Sequence, residues 1–172
     1  HSQLNSIISR DAVEVFLDLS WGGSYKGRIH ILLSPDTPLA RHFKILCTGE
    51  AGPTYAGTTL LEVGNKGNTD REWIKGGDYS TSQHTGLTAP LINHRPKIYK
   101  RRNTSGAVKV VFYVNAGYKI TEFKITTGRG NRFNCWPIVG LVQQGLDLLK
   151  EAAKQVDICS VVIEDSGVIL PL

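Results

Sequence analysis

Two alternating runs joined by a glycine-rich turn constrain this chain more than any other feature. Val13–Leu19 reads Val-Glu-Val-Phe-Leu-Asp-Leu, the two-residue period of a half-buried strand. Trp21-Gly22-Gly23-Ser24 supplies turn chemistry, and Gly27–Leu33 reads as a second strand. Together they predict a β-hairpin. Ser34-Pro35-Asp36-Thr37-Pro38 is a helix-start signal, a capping side chain with proline inside the first turn. The helix predicted after it, Pro38–Leu46, carries Leu39, Phe43 and Leu46 on one face, and Thr48-Gly49 ends it.

Further strands are predicted over Thr59–Val63, Val108–Val114, Glu122–Thr126, Ile138–Val142, Ser160–Glu164 and Val168–Leu170. Gly145–Val156 is the second helix, with Leu146, Leu149, Ala153 and Val156 at helical spacing. Between Gly64 and Gly106 the pattern dissolves into Gly, Asn, Thr, Ser and charge, with Trp73-Ile74 as its apolar island. A structureless stretch of that length is uncommon inside a compact domain, so folded loops and one or two short strands are expected there. The expected fold is mainly β: a closed eight-stranded antiparallel barrel with its two α-helices over the openings.

The 172 residues fit a single domain, 1–172, with enough chain for its own core. The start at His1-Ser2 reads as a domain cut from a longer protein. No apolar run reaches the roughly 18 residues that cross a bilayer, so no membrane partner is expected. Cys47, Cys135 and Cys159 are an odd number without metal-ligand spacing. They read as reduced thiols of an intracellular protein, cytoplasmic or nuclear. A net charge of +5 favours acidic partners. No metal or cofactor motif is present, and none is expected.

The stretch from Val15 to Thr59, with its central Gly27-Arg28, Pro38, Phe43 and Leu46-Cys47-Thr48-Gly49-Glu50, resembles the cyclophilins, the peptidyl-prolyl isomerases that also bind cyclosporin. Lys75–Ser80 is similar to their Gln-Gly-Gly-Asp-Phe-Thr, and Val114–Gly117 to their Ala-Asn-Ala-Gly. Val139–Leu149 and the closing Val161–Gly167 also look like family segments. The resemblance implies the capped barrel and a peptide groove. Its candidate positions here are Leu60, Glu62, Trp73, Lys75, Asn115, Ala116, Glu122, Phe123 and Trp136.

That groove is where the sequence departs from the family. The Phe-His-Arg strand reads Leu60-Leu61-Glu62, so the catalytic arginine position holds Glu62. The glutamine before Gly-Gly-Asp reads Lys75, and a phenylalanine wall of the proline pocket reads Lys124. The segment after Gly117 is two residues short, the cyclosporin-contacting tryptophan falls near Asn131, and the pocket histidine falls near Trp136.

Rotating a peptide bond costs about 18–20 kcal/mol because amide resonance must be broken. An isomerase aims a fixed donor at the pyramidalising imide nitrogen, a task suited to the permanently charged arginine fork. An ionised glutamate only accepts hydrogen bonds, and its charge has the wrong sign. The expectation is a catalytically inactive, cyclophilin-like scaffold that binds a protein partner and not cyclosporin. The alternative is a weak isomerase with an altered pocket.

Asn93–Asn103 concentrates Arg95, Lys97, Lys100, Arg101 and Arg102 beside His94. This basic loop, 94–102, is either a solvated surface or a contact for an acidic protein, RNA or an import receptor. Gly128–Trp136 sets Arg129 and Arg132 beside glycines and reads as a loop, with a phosphate contact as the alternative that no motif supports.

Overall fold

The computed structural model describes residues 12–34, 37–79, 101–114, 118–130, 133–134 and 137–170. Strand β1 (Glu14–Trp21) pairs with β2 (Ser24–Leu33), with Trp21 opposite Ser24. Gly22 and Gly23 form the two-residue turn at φ 62° and 76°. Such a hairpin needs positive φ at both central positions, which only glycine adopts freely. The first helix, α1 (Pro38–Thr48), starts where the Thr37 side chain accepts the Ala40 N–H at 3.2 Å. It ends at Gly49, whose left-handed φ of 73° lets its N–H reach the Ile45 carbonyl.

The remaining elements follow as β3 (Leu60–Gly64), β4 (Trp73–Gly76), β5 (Arg101–Arg102), β6 (Ala107–Val114), β7 (Tyr118–Thr126), β8 (Phe133–Asn134), β9 (Ile138–Gln144), α2 (Leu146–Ala153) and β10 (Val162–Ile169). Eight strands form one antiparallel sheet in the order β10-β1-β2-β9-β6-β7-β4-β3, and β5 pairs with β8 apart from it. The two helices and this sheet match the expected composition.

The closed barrel does not: the sheet is open, a curled half-barrel with β10 and β3 as its edge strands. Among the described residues those edges meet at an isolated bridge between Thr59 and Val162, bordered by Leu60 N–H to Val161 O at 2.9 Å and Ile163 N–H to Thr58 O at 2.8 Å. Gly57 N–H also reaches the Ile163 carbonyl at 2.7 Å, and the pairing goes no further because the chain before Val161 is a 3-10 turn over Ile158–Ser160 and not a strand.

Two other expectations are corrected. Helix α2 ends at Ala153, three residues before Val156, which is fully exposed. Lys154 and Gln155 donate backbone bonds to Glu151 and Ala152, three residues back, and this tightening closes the helix. The paired segments expected over Ser160–Glu164 and Val168–Leu170 are one strand, β10. A register shift against β1 lets it continue through Asp165–Gly167.

The core fills the concave side of the sheet. Phe43 from α1, Tyr55 and Phe123 from β7 meet there, with ring centroids 5.2 to 6.1 Å apart. Tilted aromatic pairs of this kind add about 0.5–1.5 kcal/mol each beyond the area they bury. The buried Tyr55 hydroxyl donates to the Thr121 carbonyl at 2.9 Å. On the hairpin, Arg28 grips Asp18 with two bonds of 2.8 and 3.0 Å and lies over the Phe16 ring. Among the described residues no helix is long and apolar enough to cross a membrane.

Candidate functional site: a charged row on the outer face of the sheet

Strands β3, β4, β7 and β6 are neighbours, and their alternation puts one set of side chains into the core and the other outside. Leu60, Ile74, Phe123, Ile125, Val108 and Val110 point inward and are buried. The outer set falls into register. Glu62 is opposite Lys75, Lys75 opposite Lys124, and Lys124 opposite Lys109. One acid and three lysines therefore form a single row across four strands.

The row is physically coupled. Lys75 Nζ lies 3.3 Å from Glu62 Oε2. Lys124 Nζ sits 4.2 Å from the centre of the Trp73 ring, a cation–π distance. The indole can lie there because position 64, opposite Trp73 in β3, is glycine, and a Cβ at Gly64 would collide with the ring. Glu122, two residues before Lys124 and on the same face, accepts a hydrogen bond from the Thr121 hydroxyl.

Like charges directly opposite each other on a sheet are destabilising, and in this row burial is the larger influence on the lysines. Lys109 is 5% exposed, and burial, then the nearby Lys124, pushes its ammonium down to about 8. Lys124 is held below its ordinary value, first by burial and then by Lys75, with Glu62 and Glu122 opposing the shift. Burial, then Glu122 and Asp78, pushes the Tyr79 phenol up to about 12. The face thus presents ammonium donors and carboxylate acceptors beside one indole.

The structure brings Glu62, Trp73, Lys75, Glu122 and Lys124 onto this face. Leu60 and Phe123 are core residues, 1% and 0% exposed, and offer no surface. Asn115, Ala116, Trp136 and Asn131 lie outside the described residues, as do Arg95, Lys97 and Lys100 of the basic loop. Arg101 and Arg102 form β5, paired with Asn134 and Phe133. Trp73, a groove candidate in the sequence, is half-buried over β3.

Lys109 was not among the sequence candidates. The signal was present in Ala107-Val-Lys-Val-Val, where the two-residue period places a lysine outside between inward valines. Among the described residues no group of His, Cys, Asp or Glu could hold a metal ion.

No family model matches the chain. A solved structure, the crystal structure of the Mimivirus cyclophilin, is similar to it with a TM-score of 0.72. That match covers 94% of this chain and 91% of that chain at 21% identity. The fold is cyclophilin-like.

Proposed function

We propose that this chain is a cyclophilin-like domain that holds a protein partner and does not catalyse prolyl isomerisation. A cyclophilin-like fold suggests an isomerase-type domain, so the proposal concerns what has changed on that frame. One observation carries it. The Glu62–Lys75–Lys124–Lys109 row, with Trp73 packed on Lys124, occupies the strands where the sequence resemblance puts the catalytic arginine, its glutamine neighbour and a pocket phenylalanine.

The physical argument has two parts. A proline ring gains from an apolar wall, and an ammonium in that wall must be desolvated to receive it. The imide nitrogen needs a positioned donor, and at position 62 a carboxylate already engages Lys75. Lysine ammoniums on flexible stems do not replace the arginine fork. The same groups suit a polar, acidic segment of a partner protein, which can pair with the lysines and lie along the indole.

The test is an isomerase assay without a coupled protease, using a substrate whose refolding is limited by one X-Pro bond. The expected rate in the presence of the chain is the uncatalysed one. Cyclosporin is expected to bind no more tightly than about 1 μM, equivalent to roughly −8 kcal/mol. Clear catalysis would make the chain an isomerase with an altered pocket and overturn the proposal.

A further inference from the structure

A concave site that shares no lining residue with the charged row lies where the β3–β4 loop, the segment after β7 and helix α2 converge. Its volume is about 430 Å³, within the roughly 300–1,000 Å³ of small-molecule sites. Four cations line it: Lys66 from the loop, Arg129 from the segment after β7, and Lys150 and Lys154 from α2. Its one lining acid is Glu72, so the lining charge is 4 − 1 = +3.

Glu72 is committed to the frame. Its Oε2 accepts the Gly67 N–H and its Oε1 the Thr127 hydroxyl, both at 2.8 Å. Its main-chain carbonyl takes the N–H groups of Thr127 and Gly128 at 2.9 Å each. Arg129 N–H donates to the Thr69 carbonyl at 2.8 Å and Gly130 N–H to that of Asp70 at 3.0 Å. A Cβ at Gly128 would stand 2.7 Å from the Asp70 carbonyl carbon, so glycine lets the two backbones touch. The walls are therefore fixed before any ligand arrives.

Lys66 Nζ is anchored on the Gln155 carbonyl at 3.1 Å, and Lys154 pairs with Glu151 at 3.2 Å. Arg129 and Lys150 have no ion pair among the described residues. Lysines at the end of α2 also complement the helix dipole, and any one of these cations alone would be ordinary surface charge. Arg129 and Lys66 are not on the helix, however, and cations from three separate elements converge on one fixed concavity. Such an arrangement focuses positive potential where a ligand can sit.

We propose that this cavity binds a small polyanion through its phosphate or carboxylate groups. A single negative charge would answer one rim cation, whereas a ligand with several can engage Arg129, Lys150 and Lys66 at once.

The test is titration calorimetry on the full chain at low salt, with inorganic tripolyphosphate as the phosphate probe and citrate as the carboxylate probe. At least one is expected to bind more tightly than about 1 mM. The paired reversal Arg129→Glu with Lys150→Glu is expected to weaken that binding at least tenfold with an unchanged melting temperature. The charge-matched pair Lys26→Glu with Arg41→Glu is expected to leave it within about twofold. Binding of tripolyphosphate alone would specify a phosphate ligand, and of citrate alone a carboxylate ligand; binding of both supports the shared anion chemistry. Absence of binding by both probes overturns the proposal. So does an equal loss in the two paired variants, which would mean a response to net charge only. The isomerase assay does not read this site, so either proposal can fail without the other.

Discussion

The inner and outer faces of β3, β4, β7 and β6 share one backbone and carry opposite chemistry. Inside, Leu60, Ile74, Phe123 and Val110 are buried against the aromatic cluster of the core. Outside, the same strands carry Glu62, Lys75, Lys124 and Lys109 in register. The inner face sets what the chain folds into, since its volume and polarity are dictated by close packing. On the proposed reading the outer face sets what the fold can do, since its side chains lie outside the close-packed core. The two faces should therefore respond very differently to substitution.

The largest effect is expected on the inner face. Phe123→Ala removes a fully buried ring that packs edge-on against Phe43 and Tyr55. It should cost about 3–5 kcal/mol in urea denaturation. A loss below about 1 kcal/mol would mean that the inner face is not the structural one.

Next comes Lys109, an outer-face residue that is nonetheless buried. Its folded value of about 8 lies below the ordinary 10.5. Between those values the unfolded chain holds the proton and the folded chain does not, so stability should climb as pH rises from about 8 to 10.5. Below pH 8 the full cost of keeping a buried ammonium charged is present. Lys109→Met should remove that cost, stabilising the protein at pH 7 by up to about 3 kcal/mol and flattening the rise. A destabilised variant with the rise intact would place Lys109 in a role other than an unwelcome charge.

The smallest effect belongs to the exposed pair. Glu62→Gln breaks the contact with Lys75, whose partner carboxylate is more than half exposed. Pairs of this kind are worth about 0–1 kcal/mol, so the melting temperature should barely move, while binding of an acidic partner segment should be retained or strengthened.

The hairpin, α1 and the inner strands were legible because each follows from a local rule: alternation, a two-glycine turn, and a Thr37 cap with Gly49 as the stop. The open sheet was not. Closure depends on how far two strands distant in sequence run alongside each other, and Thr59 and Val162 meet at a single bridge. The early end of α2 was hidden because Val156 keeps the helical spacing while the backbone bonds that close the helix are three residues long. On the candidate site, Glu62, Lys75 and Lys124 could be singled out one by one. Their alignment with Lys109 into one row required strand register, which the separation of β3, β4, β6 and β7 along the chain conceals. The Glu72-braced cavity was hidden for the same reason, its walls coming from segments as far apart as Glu72 and Thr127, 55 residues along the chain.

On the proposed reading, the outer face as a whole, and not position 62 alone, separates this chain from a prolyl isomerase. Glu62→Arg tests it most directly, in a refolding assay limited by an X-Pro step that takes tens to hundreds of seconds uncatalysed. A donor restored at one position helps only if substrate is held within reach, and a misplacement of about 1 Å can cost a hundredfold. With Lys75 and Lys124 still in the row, the variant is predicted to refold the substrate no faster than the unmutated chain. Refolding accelerated well above that of the unmutated chain by Glu62→Arg alone would show an intact pocket and contradict the account.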